Sequence, residues 1–424
     1  MMKLNNLTLT LSLIIFVISL FISNNVFILL TTFLFPGALL SNYYYKDKYF
    51  FYLIIFLELC LLLVFSADNL ISFYIYFEGS LIPLFLIIIK FGGSNKQRAS
   101  YLLFLYTLLG SLLILIGFII IIKESGTIYF NILNLYNFNN NYIFLLIFIS
   151  LAIKTPLIPL HIWLPRAHSE AIISNSILLA ALVLKIATFA YLRILLDLIP
   201  LNCIYFLPLI QIISIISLFY SSLSCFRQND SKVLIAISSI AHISIVLLGL
   251  FANNIYGLYG SILLSLAHGF VSPLLFIIFG SILYDRYHTR IIRYYRGLTL
   301  TIPLISLFLF LATIANLGLP LTINFLGEIL SIFALFKSNI FFGFLSTFSI
   351  VFSAIYSLWL FCRVCFGSYS NYLFYASDIN LREFHIILPW LFITILFGFV
   401  TSPFNNLFFI NDSIILNNLS LLLY

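Results

Sequence analysis

The residues of this chain that could do chemistry are ionisable side chains in the middle of long apolar runs. They are Glu78, Lys154, Lys185, His242, His268 and Glu328. A charge at the centre of a membrane-spanning helix costs about 2.5 to 3.5 kcal/mol on insertion scales, so such residues usually line a cavity or pair with one another. Burial and a neighbouring opposite charge shift a pKa in opposite directions, which makes such groups tunable. We therefore predict proton transfer along these residues.

A second set of candidates has weaker positions. Glu58 lies mid-run, while His161 and His168 flank a proline-rich stretch. A lone membrane histidine often only bonds one helix to another, and a lysine near a helix end can extend to the interface. Extension to the interface is harder for Lys185, which lies far from both ends of its run. We rank it with the primary candidates.

The sequence contains no pattern that would hold a cofactor. Phosphate-binding loops, dinucleotide fingerprints, nucleophile elbows and metal-ligand spacings are all absent from it. Cys362 and Cys365 form a C-x-x-C, but no further Cys or His stands close by, so we interpret them as apolar helix residues. We predict neither a metal nor a cofactor on this chain, and redox chemistry would lie elsewhere.

The elements that position these residues must be helices in a bilayer. Of 424 residues, 63% are hydrophobic and 8% are charged, with mean hydropathy +1.17, so no soluble fold could cover them with polar surface. Each apolar run of roughly 17 to 25 residues predicts a span, because lipid-exposed backbone must bond internally. The sequence predicts about thirteen spans: 7–23, 26–42, 49–66, 69–91, 101–123, 142–160, 172–196, 204–226, 233–251, 255–284, 298–336, 341–366 and 384–402.

Loop charges predict the orientation. Lysine and arginine concentrate in the loops after the second, fourth, eighth and tenth spans, and basic loops stay on the cytoplasmic or matrix side. The N-terminus is therefore expected on the inner side of the membrane, which is the matrix side for a mitochondrial protein. The composition is typical of AT-rich genomes, which include mitochondrial genomes and those of some bacteria. The net charge of +7 is spread along these loops, without the basic, aromatic-rich patch of a nucleic-acid site. Lipids are expected partners and nucleic acid is not.

Prolines and glycines interrupt two of the runs. Pro156, Pro159 and Pro165 remove backbone donors near residues 154–171, and Gly318 with Pro320 does so near 315–322. Broken helices at corresponding positions of two halves are typical of transporters built from inverted repeats. The predicted fold is an all-α polytopic membrane protein with two inverted five-helix repeats, each holding a discontinuous helix. The predicted organisation is 1–48 N-terminal helices, 49–203 first repeat, 204–370 second repeat and 371–424 C-terminal helix and tail.

The stretch 154–171, KTPLIPLHIWLPRAHSEA, resembles the antiporter-like subunits of respiratory complex I. The resemblance extends over about residues 45 to 370, through the runs around Glu78, His242, His268 and Glu328. It implies that Glu78 pairs with Lys154 as a gate, that Lys185, His242 and His268 form a central relay, and that Glu328 is the exit site.

The resemblance also implies partners and departures. FMN, iron–sulfur clusters and ubiquinone would lie elsewhere in the complex, and partners would include the paralogous antiporter-like subunits 2 and 5. Ile172 stands where the family usually has proline, Ala187–Ala190 replaces a glycine-containing stretch, and one N-terminal span is expected to be missing.

Three hypotheses follow from these residues together with the resemblance. The first is a proton-translocating membrane subunit of NADH:quinone oxidoreductase, driven by remote electron transfer. The second is a subunit of an Mrp-type sodium/proton antiporter, which shares the motifs. The third is a structural module that has lost pumping, and retention of Glu78, Lys154, Lys185 and Glu328 argues against it.

Overall fold

The computed structural model describes residues 2–22, 25–42, 47–136 and 138–400. Within these residues every regular element is helical, and all thirteen predicted spans coincide with helices: nine are long and apolar enough to cross a membrane, and four are shorter. The all-α polytopic fold is confirmed. The apolar tail after residue 402 lies outside the described residues.

The chain divides into two compact units at Ile213/Ser214. The longer described helices of the first unit are α1 Met2–Ile22, α2 Val26–Ser41, α3 Lys48–Phe65, α4 Leu70–Gly79, α5 Leu81–Phe91, α6 Lys96–Ser125, α7 Asn141–Lys154, α8 Trp163–Glu170 and α9 Ile173–Leu196. Helix α10, Leu207–Cys225, contains the boundary. The second unit continues with α11 Ser231–Leu250, α12 Ile255–Tyr287, α13 Pro303–Leu317, α14 Ile323–Ser338, α15 Ile340–Cys365 and α16 Leu381–Phe399.

The order of elements in the first unit recurs in the second. In each, two long helices precede a short helical segment, which is Phe130–Leu133 in the first unit and Ile292–Tyr294 in the second. A broken helix and then another long helix follow. An isolated backbone bridge also recurs at the same place, joining Asn69 to Tyr129 in the first unit and Asp230 to Ile291 in the second. Each bridge joins the residue just before one long helix to the segment that follows the next long helix.

The first predicted break lies at the end of α7. The chain is irregular from 155 to 162 and resumes as α8. Backbone carbonyls freed at such a break need donors, because no water is available at membrane depth. The indole Nε1 of Trp163 donates to the Ile153 carbonyl at 2.9 Å, and Leu157 N–H donates to Ala152 at 3.0 Å. These bonds allow the interruption.

The second predicted break separates α13 from α14. Helix α13 ends at Leu317, and Gly318 adopts the left-handed conformation with φ +75°. Glycine has no Cβ and therefore adopts this conformation without a steric penalty, which explains why a glycine follows the last residue of α13. The N–H groups of Gly318 and Leu319 donate to Ala315 and Ile314, at 3.3 and 3.4 Å. Both interruptions are therefore where the sequence predicts them.

A third interruption was not predicted. The run 69–91 divides into α4 and α5 at Ser80. Pro83 has no N–H to donate to the carbonyl of Gly79, four residues earlier, so one backbone hydrogen bond of the helix is missing. This weak point lies directly beside Glu78. π-helical segments, also unpredicted, occupy Leu179–Val183 and Tyr191–Leu196 within α9 and Ile277–Leu283 within α12.

Small residues bring α11, α12 and α14 into close contact in the second unit. A Cβ added at Gly327 would lie 2.7 Å from the backbone nitrogen of Leu264, and one at Gly260 would lie 2.6 Å from that of Ser331. Close backbone approach of this kind replaces the hydrophobic driving force that lipid does not supply. The packing holds Glu328, on α14, at a fixed depth beside α12.

Candidate functional site

Lys154 is the last residue of α7 and is buried at 1% exposure. Its Nζ has no hydrogen-bond partner among the described residues and lies 3.1 Å from the centroid of the Phe77 ring. A cation over an aromatic face is attracted by the ring quadrupole, and the attraction is strongest when water is excluded. The ammonium at the first break is thus held by a ring that a neighbouring helix supplies.

Glu78 follows Phe77 on α4 and is half-buried. Its Oε1 has no hydrogen-bond partner among the described residues. The Glu78 carboxyl group and the Lys154 amine form no salt bridge within 4.0 Å in the described part of the chain. Lys154 thus lies against the residue that precedes Glu78, and direct pairing of the two gate residues stays a prediction.

Lys185 is buried in the middle of α9, at 1% exposure. It follows the π-helical segment Leu179–Val183, and its Nζ donates to the Ala180 carbonyl at 2.8 Å. A π-helical turn changes the bonding register of its carbonyls, and such turns are frequent at functional sites. The prediction that Lys185 does not reach an interface fits this burial.

The secondary candidates of the first unit are spread over three segments. Glu58 is buried within α3, and its Oε1 has no hydrogen-bond partner among the described residues. His161 is half-buried in the irregular segment, and His168 is fully buried on α8.

In the second unit, Glu328 on α14 faces His242 on α11. His242 Nδ1 lies 3.1 Å from Glu328 Oε1, and the side chains are 1% and 3% exposed. The atoms are at ion-pair distance, but their alignment is not that of a hydrogen bond. A histidine and a carboxyl at this separation can share or exchange a proton after a small side-chain movement.

Two further rings complete this cluster. The hydroxyl of Tyr356, on α15, lies 3.4 Å from His242 Nε2, and the His268 ring centroid lies 5.8 Å from that of His242. His242 thus has Glu328 at one ring nitrogen and Tyr356 at the other. Sequence reasoning missed Tyr356, because a single tyrosine within an apolar run has no distinguishing signal in a chain with 26 of them.

The second break directly contacts this cluster. A Cβ added at Gly318 would lie 3.0 Å from Glu328 Oε2. The glycine that ends α13 is therefore also the residue that leaves room for the carboxylate. One backbone position both interrupts the helix and shapes the site.

The predicted candidates thus form two described groups. Glu78, Lys154 and Lys185 belong to the first unit, whereas His242, His268 and Glu328 belong to the second. The relay from Lys185 to the histidines stays a prediction. No group of three or more His, Cys, Asp or Glu that could hold a metal ion occurs among the described residues.

Known proteins resemble this chain over most of its length. Residues 67–353 match the family model described as NADH:quinone oxidoreductase/Mrp antiporter, TM. A protein of Mycosarcoma maydis named NADH-ubiquinone oxidoreductase chain 4 is 49% identical over 379 residues, covering 88% of this chain and 78% of the relative. The chain 4 protein of Yarrowia lipolytica is 41% identical, with 90% and 80% coverage.

Solved structures agree. A chain of respiratory complex I from Thermus thermophilus with bound NADH superimposes with TM-score 0.85 and 28% identity, covering 92% of this chain and 83% of that one. A chain of the Mrp complex from Dietzia sp. DQ12-45-1b gives TM-score 0.83 at 19% identity, covering 91% and 82%, which shows a shared fold. The chain therefore belongs to the NADH:quinone oxidoreductase/Mrp antiporter transmembrane family and, within it, to the NADH-ubiquinone oxidoreductase chain 4 group.

Proposed function

We propose that this chain translocates protons across the mitochondrial inner membrane as a membrane subunit of NADH:quinone oxidoreductase, respiratory complex I. The observation that carries the proposal is the buried His242–Glu328 pair beside a broken helix. Membership of the chain 4 group supports coupling to electron transfer between NADH and ubiquinone. The chain would move protons through ionisable side chains whose charged forms are destabilised by the membrane interior.

In the second unit, His242 would pass a proton to Glu328. An isolated buried charge is costly, whereas a histidinium beside a carboxylate, or both groups neutral, avoids that cost. Tyr356 would hold the opposite ring nitrogen of His242 and so orient the imidazole. Glu328, at the end of the series, would release the proton near the irregular backbone at Gly318. His268 would supply protons to His242 from the neighbouring helix.

In the first unit, Glu78 and Lys154 would form a gate with two arrangements. In one the ammonium lies over Phe77, as here; in the other it pairs directly with Glu78. The missing backbone bond near Pro83 gives α4 and α5 a place to bend, which would change the separation of the two charges. Closing the pair would hold the proton on Lys154, and opening it would favour release toward Lys185.

We assign the ranges 49–203 and 204–370 to two repeats, flanked by 1–48 and 371–424. The recurring order of helices and the recurring backbone bridges support this assignment. An inverted arrangement of the repeats would put the broken helices on symmetric paths.

Electron transfer would take place on other subunits. FMN, iron–sulfur clusters and ubiquinone would bind there, and this chain would carry no redox cofactor. Its neighbours would include the paralogous antiporter-like subunits 2 and 5. The alternation of basic loops supports an N-terminus on the matrix side. A cysteine added before residue 7 would then be protected from a membrane-impermeant thiol reagent in intact mitoplasts, and labelling there would contradict this orientation.

An Mrp-type sodium/proton antiporter is the alternative, and copurification separates the two. NADH dehydrogenase activity, FMN and iron–sulfur absorbance should accompany this chain when it is isolated from mitochondria. A preparation that holds the intact chain without them would favour the antiporter.

The gate is tested by Glu78→Gln in the assembled complex, with Glu124→Gln as the control because Glu124 is exposed at the end of α6. The gate variant should translocate at least about tenfold fewer protons per NADH oxidised in proteoliposomes, since neutral Gln attracts the ammonium far less. The control should match the unmodified complex. Unchanged pumping by the Glu78 variant would exclude the gate.

A further inference from the structure

A cleft outside the proton-transfer residues lies where α15 ends. Its volume is about 490 Å³, and its lining comprises Arg296, Trp359, Cys362, Arg363, Phe366, Gly367 and Ser368. Two arginines and a tryptophan thus surround one space, and no carboxylate lines it among the described residues. Guanidinium groups bind phosphate through several parallel hydrogen bonds, so this lining is suited to a phosphate group.

Neither arginine has an acidic partner among the residues that the structure describes. Arg296 takes part in no ion pair or hydrogen bond within the described ranges, and the Arg363 guanidinium carbon lies 5.5 Å from the Trp359 ring centroid. Arg286, near the end of α12, is by contrast paired with Glu383 at 2.7 Å. The cleft therefore carries positive charge that the described residues do not neutralise.

The backbone fixes the two arginines on opposite segments of the cleft. Gly297 N–H donates to the Phe366 carbonyl at 3.2 Å, and the Thr299 hydroxyl donates to the Cys365 carbonyl at 2.9 Å. A Cβ at Gly297 would lie 2.8 Å from the Gly367 carbonyl oxygen, so only glycine permits this approach. The loop after α12 and the end of α15 thus form one preorganised site.

The surface next to the cleft is apolar. Ile355 and Leu358 are exposed along α15, and Phe366 is exposed just after its end. Tryptophan and arginine at the end of a membrane helix are typical of the level of lipid headgroups. An acyl chain would extend from the cleft along this exposed helix face, whereas free phosphate would use only the arginines.

We propose that this cleft binds an anionic phospholipid, with its phosphate between Arg296 and Arg363 and its headgroup beside Trp359. The acyl chains then cover Ile355 and Leu358 on α15. The charge of Arg363 at the helix end and that of Arg296 on the loop make the site selective for anionic over zwitterionic lipid. A tightly held lipid here fastens the loop after α12 to α15, the helix that carries Tyr356.

The test uses the complex that contains this chain, reconstituted in phosphatidylcholine nanodiscs with a photoactivatable phosphatidylglycerol. Cross-links within residues 355–368 are quantified by mass spectrometry. We expect labelling by this probe to exceed labelling by photoactivatable phosphatidylcholine at least about tenfold. Arg296→Gln with Arg363→Gln should remove that preference. Arg293→Gln is the matched control, because it removes one exposed charge from the same loop outside the cleft, and it should retain the preference.

The unmodified complex decides the question even if the double variant fails to assemble. Equal labelling by the two probes would overturn the proposal, and so would an absence of labelling, which is expected if a protein subunit covers the cleft. Displacement of the lipid probe by millimolar inorganic phosphate would show a free-phosphate site and overturn the lipid assignment. A preference that persists in phosphate and disappears in the double variant supports it.

Discussion

His242 Nδ1 lies 3.1 Å from Glu328 Oε1, and both side chains are almost completely buried. The residues come from α11 and α14, and Gly260 and Gly327 allow α14 to pack closely against α12. Neither group could retain an unpaired charge at this depth without a large desolvation cost. We propose that this pair is the point of the second unit at which a proton is held and passed on.

The first prediction concerns this pair. Glu328→Gln and His242→Asn should each lower proton translocation per NADH at least about tenfold, because each removes one of the two proton-carrying groups. If the groups act as a unit, the double variant should be no worse than either single variant. Proton uptake by proteoliposomes, measured with a pH-sensitive dye during NADH oxidation, gives the values.

Tyr356→Phe provides the comparison for the Glu328 and His242 variants. It removes a hydroxyl 3.4 Å from His242 Nε2 but leaves both titrating groups. A long neutral hydrogen bond contributes about 0.5 to 1.5 kcal/mol, so pumping should fall only a few-fold. A loss as large as that of Glu328→Gln would contradict the assignment of Tyr356 as an orienting residue.

The second prediction separates backbone strain from contact with the carboxylate. Gly318→Ala and Gly126→Ala both force alanine into a left-handed conformation, at φ +75° and +71°, which costs roughly 1 to 2 kcal/mol. Only at Gly318 does the new Cβ meet Glu328, whereas nothing lies within 4 Å at Gly126. Thermal stability should fall in both variants, but pumping should fall only in Gly318→Ala. Equal pumping in the two would show that Gly318 serves the turn alone.

The third prediction concerns the first break. Trp163→Phe keeps an aromatic ring but leaves the buried Ile153 carbonyl without its indole donor, at a cost of about 1 to 3 kcal/mol. The thermal stability of the chain in detergent-solubilised complex should fall accordingly. Unchanged thermal stability would mean that the indole bond does not support the break.

The fourth prediction concerns Ile172. Its φ of −61° and ψ of 156°, together with the extended backbone of Ala171, already fit a proline at this position. Ile172→Pro should therefore raise stability by about 0.4 to 1 kcal/mol, because proline restricts the unfolded chain. Ile177→Pro, within α9, should instead prevent assembly. Destabilisation by Ile172→Pro would show that the isoleucine side chain contributes packing that proline lacks.

The sequence predicted much of the fold because the lipid environment leaves few choices. Without water, an apolar run must bond its own backbone, so each predicted span became a helix. Proline and glycine predicted both breaks because each residue affects the helical backbone hydrogen bonds only locally. The same reasoning applied to Pro83 would have located the division at Ser80. The π-helical segments beside Lys185 have no comparable signal, because they depend on packing against neighbouring helices.

By itself, the sequence determined which groups are buried in the membrane, since position within an apolar run sets depth. It could not determine which of them meet, because contacts between residues far apart in the chain depend on how helices pack. Only the tertiary structure shows that Glu328 lies against Nδ1 of His242, that the Tyr356 hydroxyl lies near Nε2 of the same ring, and that Lys154 lies over the Phe77 ring. Only the tertiary structure also shows that Arg296 and Arg363 line one cleft. Backbone hydrogen bonds bring together the two segments that carry them, which are far apart in the sequence.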